Sequence, residues 1–85
     1  MPNIRQQKKR VRTAERQRAE NVRYRSSVRT LTRRLRDALE AGDNDAVHAA
    51  HRDLVRLLDR AVTRGALHRN TAARRKAQAA RLVSG

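Results

Sequence analysis

Eighty-five residues allow one small domain, and a formal net charge of +14, from 22 Lys and Arg against 8 Asp and Glu, opposes its compaction. The absence of Cys excludes disulfides and thiolate metal sites, and a single aromatic residue, Tyr24, leaves Leu, Val and Ala to build the core. No apolar run approaches the ~18 residues of a transmembrane helix, and the basic start lacks the apolar segment of a secretory signal, so a soluble, cytoplasmic protein is expected.

The first element spans Asn3 to Ala41 without a Gly or Pro to interrupt it. As one helix it would run roughly 57 Å, longer than a domain of this size can cover, so part of it should project. Its downstream half carries Val28, Leu31, Leu35, Ala38 and Leu39 at helical spacing, an apolar stripe for packing. Its upstream half offers Ile4, Val11 and Val22 among many cations: Arg5, Lys8, Lys9, Arg10 and Arg12, then Arg16, Arg18, Arg23 and Arg25. Arg29, Arg33 and Arg34 continue the series. Glu15 and Glu20 are the only acids before Asp37, too few to make this a helix of internal ion pairs. Arg predominates, and its planar fork suits bidentate phosphate contacts. The short polar residues Asn21, Ser26, Ser27, Thr30 and Thr32 lie among these cations and could hydrogen-bond phosphate or ribose.

Gly42 can close the first helix in the left-handed conformation, and Asp43 can cap a second, with Asp45 near its positive dipole end. Val47, Ala50, Leu54, Leu57, Leu58 and Ala61 then keep helical spacing, and so short a connection makes the two helices antiparallel neighbours. Arg64-Gly65 is the second stop, Ala66 to Arg69 a turn, and Asn70 the expected cap of a third helix. That helix should present a face of Ala72, Ala73, Ala77, Ala80, Leu82 and Val83. The expected architecture is all-α: a single domain, 1–85, forming a three-helix bundle with helices at about 4–41, 44–64 and 70–83, the long basic first helix projecting beyond it.

Charge is segregated along the chain. Residues 1–36 carry net +11, residues 37–63 net −3 and residues 64–85 net +6. Two basic ends flanking an acidic middle suggest one shared surface for a polyanion, nucleic acid above all. Enzyme chemistry lacks its parts: there is no Gly-rich phosphate loop, and a bundle this small is expected to hold no pocket of ~300 Å³ to enclose a substrate. His48 and His51 stand three apart with Asp45 nearby, but with no further ligand cluster in reach, so neither a metal nor another cofactor is expected.

The ordered motifs resemble a known family. They are Asn3-Ile4-Arg5 with Lys8-Lys9-Arg10, then Asn21 with Arg25-Ser26 and Val28-Arg29-Thr30, and then Glu40-Ala41-Gly42-Asp43. Last comes Asp59-Arg60-Ala61, leading through Gly65 to His68-Arg69-Asn70 and Ala72-Ala73-Arg74-Arg75-Lys76. Together these resemble the bacterial small-subunit ribosomal protein S-twenty family, in order and over nearly the whole chain. Arg stands where Lys is common in that family, and Leu31 lies where an aromatic often does. The resemblance implies a three-helix bundle that binds small-subunit ribosomal RNA, acts early in subunit assembly, and sits as a monomer within the ribosomal subunit. It implies no small-molecule substrate and no membrane partner. Its RNA-binding residues would be the cations from Arg5 to Arg33 named above other than Arg34, with Asn3, Asn21, Ser26 and Thr30, and His68, Arg69, Asn70, Arg74, Arg75 and Lys76 from the second turn onward. The rival readings are a nucleoid-type DNA-binding protein and a membrane-surface amphipathic helix. Against them stand the lack of sustained heptads or a compact helix-turn-helix, and the lack of a bulky apolar face in the basic half.

Overall fold

The computed structural model describes residues 3–84; Met1, Pro2 and Gly85, part of the expected domain, lie outside it. It contains three helices, α1 (Ile4–Ala41), α2 (Asn44–Thr63) and α3 (Arg69–Ser84), and no strand among the described residues. The all-α expectation therefore holds. The molecule measures 59 × 21 × 13 Å, its long dimension being that of α1.

The ends of α1 and α2 each have an identifiable cause. Asn3 caps α1, its Oδ1 accepting the Gln6 N–H at 2.9 Å. At the other end Gly42 adopts φ 70°, its N–H donating to the Leu39 carbonyl and that of Asp43 to the Ala38 carbonyl, both at 3.2 Å. This paired closure satisfies carbonyls that the helix end would leave bare. Asp43 at once opens α2, its Oδ1 accepting the Ala46 N–H at 3.1 Å. One residue thus serves both helices, which forces the antiparallel hairpin. The end of α2 repeats the device: Gly65 at φ 75° donates to Val62 and Ala66 donates to Ala61, at 3.0 and 2.8 Å.

The start of α3 differs from expectation. The helix begins at Arg69, and His68 is its cap: the His68 carbonyl accepts from Ala72, and its Nδ1 accepts the Asn70 N–H at 3.1 Å. Asn70, expected as the cap, lies inside the first turn as the donor. An imidazole nitrogen can fill the role usually taken by a short oxygen-bearing side chain.

The core is aliphatic. Leu35 and Leu58 are fully buried and Leu54 nearly so, clustered with Val28, Ala38 and Val47, and Ala61 is buried as well. Leu31, Leu39, Ala50 and Leu57 pack at the margins. The two stripes expected to face one another do so. The face of α3 was not so legible: Ala72 and Ala79 are buried, while Ala73, Ala77, Ala80 and Leu82 are exposed. The buried row is Ala72, Lys76, Ala79 and Val83, at i, i+4, i+7 and i+11, with Lys76 half-buried and reaching Asp59 of α2 in an ion pair. Helix α3 rests mainly on α2 and meets α1 in few places.

Candidate nucleic-acid interface

Two cationic regions result from this packing. The first is the free end of α1. Among the described residues, the last polar tie between α1 and the rest of the bundle is at Gln17, whose Nε2 donates to the Arg64 carbonyl at 3.4 Å, and Glu20, whose carboxylate is 3.9 Å from Arg64 Nε. Upstream, every residue from Ile4 to Arg16 is exposed. The projection is therefore about 13 residues, or about 20 Å of helix, shorter than the basic run alone suggests. A 20-residue α2, starting just past the end of α1, reaches back along it to Gln17. Arg5, Arg12, Arg16 and Arg23 fall on one side of α1 by helical periodicity, while Lys8, Lys9, Arg10 and Arg18 are distributed around it.

The second region is a groove of about 790 Å³ between the middle of α1 and the turn into α3. The sequence predicts no pocket of ~300 Å³ to enclose a substrate, and this space is an open groove between two helices, not an enclosed cavity. The groove forms because the turn from Arg64 to His68 lifts the start of α3 away from α1, and α3 then leans on α2. Arg25, Arg29, Arg33 and Arg36 line one wall, and His68, Thr71 and Arg75 the other. Val28, Ala66 and Leu67 form an apolar floor, and Asp37 and Glu40 stand at the end nearer Gly42.

The candidate residues divide accordingly. Arg25, Arg29, Arg33, His68 and Arg75 come together in the groove, so the downstream part of the first basic block meets the second there, while none of the cations from Arg5 to Arg23 lines it. Arg74 is exposed on α3 but does not line the groove, and Arg69 and Asn70 are exposed at its start. Lys76 is engaged with Asp59. Asn3 and His68 serve as caps, and Asn21 accepts from Gln17 at 3.0 Å. The Thr30 hydroxyl donates back to the Ser26 carbonyl at 3.0 Å, so its proton is spent within the helix, and the Ser26 side chain is exposed. Because His68 Nδ1 accepts the Asn70 N–H, the neutral imidazole carries its proton on Nε2, a donor. Sequence reasoning missed Arg36 and Thr71. Arg36 had a signal: Arg18, Arg25, Arg29 and Arg36 repeat at intervals of seven, four and seven, the spacing of one helix face. Thr71 had none, since its place depends on how the turn directs α3.

Comparison with known proteins places this geometry in context. The family model for ribosomal protein S20 matches residues 2–84. The small ribosomal subunit protein bS20 of Beutenbergia cavernae is 44% identical over 85 residues, covering 100% of this chain and 99% of that protein. Its counterpart from Corynebacterium urealyticum is 47% identical over 85 residues, covering 100% and 98%. The bS20 of Corynebacterium jeikeium is 51% identical over 76 residues, 89% of this chain and 87% of that protein.

Proposed function

This chain belongs to the ribosomal protein S20 family, and from that premise we propose that it binds small-subunit ribosomal RNA directly and supports assembly of the small subunit. It is a structural ribosomal protein, not an enzyme. Its place is as a monomer in the small ribosomal subunit in the cytoplasm. The observation that carries direct RNA binding is the groove, where four arginines of α1 and Arg75 of α3 converge from opposite ends of the sequence. Counterion release at such a surface supplies affinity for any nucleic-acid backbone. The projection, about 20 Å of helix, adds a second cationic stretch that can follow a strand away from the bundle.

The test has two arms. The protein should co-sediment with small ribosomal subunits in high salt. At matched salt it should bind small-subunit ribosomal RNA more tightly than duplex DNA of equal length. Equal affinity for both, with loss from subunits in high salt, would instead favour a nucleoid-type DNA-binding protein.

A further inference from the structure

The wall that α3 gives to the groove begins at its cap. His68, Thr71 and Arg75 line it, and they stand at i, i+3 and i+7, on one face of a helix. Arg75 lies about 10 Å along the axis from His68, so its place follows the direction in which the helix sets out. Little else fixes that direction. The row that α3 buries is mostly small, Ala72 and Ala79 being its buried members, and α3 meets α1 in few places. The turn before it is tied to α2, the Ala66 and Leu67 N–H groups both donating to the Ala61 carbonyl, at 2.8 and 3.3 Å. His68 comes next, and both of its bonds run forward into α3: its carbonyl accepts from Ala72 at 3.0 Å and its Nδ1 from Asn70 at 3.1 Å. It is the joint between an anchored turn and a lightly held helix.

Resting on the RNA-binding reading, we infer that His68 is a positioning residue: its imidazole caps α3 and so holds Arg75 in the wall of the groove, and it aids RNA binding through Arg75 and not by a charge of its own. The cap dictates this. Nδ1 can accept the Asn70 N–H only while the ring is neutral, because an imidazolium carries a proton on both nitrogens and has no acceptor. An Asp would cap the helix as well, but it would set a carboxylate in a groove lined by five arginines, where it would compete with phosphate for them. A neutral imidazole caps without that competition.

The test is a set of substitutions in the full chain, read by affinity for small-subunit ribosomal RNA at fixed salt. His68→Ala removes the cap and should weaken binding about tenfold, the scale of a lost helix cap. His68→Asn, whose oxygen can cap, should bind within about twofold of wild type. His68→Arg supplies a cation but no acceptor, and should bind as weakly as the Ala variant. In an Arg75→Ala background the step from His68 to Ala should shrink to within about twofold, and in an Arg74→Ala background it should keep its full size. Nitrogen NMR of the labelled imidazole in the complex at neutral pH should show a neutral ring protonated at Nε2. Circular dichroism would verify the fold of each variant. Exchange of the Asn70 amide in the free protein reads the cap alone, and should be fast in the Ala variant and slow in the Asn variant. An Arg variant that binds tighter than wild type, an Asn variant no better than Ala, an undiminished step without Arg75, or an imidazolium in the complex would each overturn the inference. So would an Asn70 amide equally protected in wild type and the Ala variant. Failure of the wild-type protein to bind ribosomal RNA would instead defeat the RNA-binding reading, with amide exchange still reporting whether His68 caps α3.

Discussion

Gln17 and Arg64 mark where the bundle ends. The Gln17 amide donates to the Arg64 carbonyl at 3.4 Å, across 47 residues of chain, and the Arg64 guanidinium turns to Glu20 one turn further along. Among the described residues, no hydrogen bond or ion pair joins α1 to another helix upstream of this tie. In that upstream stretch like charges at helical spacing repel, and an isolated helix of about 13 residues is marginal in water. In the free protein, amides upstream of Gln17 should exchange quickly and those from Val28 onward slowly. RNA should bring the upstream amides into the protected set. Hydrogen exchange showing Arg5–Arg16 fully protected without RNA would contradict this.

Leu35, Leu54 and Leu58 are the largest side chains removed from water, and they come from facing helices. Replacing Leu35 or Leu54 by Ala should cost ~2–5 kcal/mol each. That is a large share of the ~5–15 kcal/mol typical of a whole domain. Val22→Ala, at a side chain 55% exposed, should change little. Urea denaturation of the three variants tests the helix pairing, which is wrong if all three unfold at the wild-type midpoint.

Gly65 holds φ 75°, and a Cβ built on it would meet no atom within 4 Å. The cost of substitution is therefore one of backbone conformation, not crowding. Gly65→Val should destabilise by ~1–2 kcal/mol, and Gly65→Asn by less, because Asn enters the left-handed region more readily. The two variants differ from wild type by no charge, so any loss of RNA affinity at fixed salt reports the direction of α3. Equal midpoints for Val and Asn would mean that the turn has another way to close.

The cations of α3 should not be equivalent. Arg75 lines the groove, Arg74 does not, and Lys76 is drawn to Asp59. Each phosphate that a cation no longer neutralises lowers the salt slope of log K by about 0.7–0.9. Arg75→Ala should show that drop, with a smaller effect from Arg74→Ala. Lys76→Ala should act chiefly on stability, and by under about 1 kcal/mol because Lys76 is only half-buried and Asp59 is exposed. Salt titrations of RNA binding for the three variants would show it, and identical slopes would remove the groove's privilege over the rest of α3.

What could be read in advance followed the reach of each signal. Gly42-Asp43 and Gly65 announce helix ends because a left-handed glycine and a capping carboxylate are local chemistry. The stripes of α1 and α2 are legible because Leu and Val recur against polar neighbours. The face of α3 was not, because alanines surround that helix and the buried row runs through Lys76. His68 escaped as a cap because its accepting nitrogen is seldom used that way. The groove is a property of two segments, one at Arg25–Glu40 and one at Ala66–Arg75, and no periodicity within either could disclose the space between them.

That division of the groove between distant parts of the chain has a consequence for synthesis. The helices α1 and α2 leave the translating ribosome first and can pair locally, since only Gly42 and Asp43 separate them. A chain halted before α3 would keep the projecting cations and the hairpin, and so retain attraction for any RNA nearby. It would lack His68, Thr71 and Arg75, and with them one whole wall of the groove. On the proposed RNA-binding reading, the cations of α1 are thus presented early, and the two-walled groove only once α3 has emerged and docked.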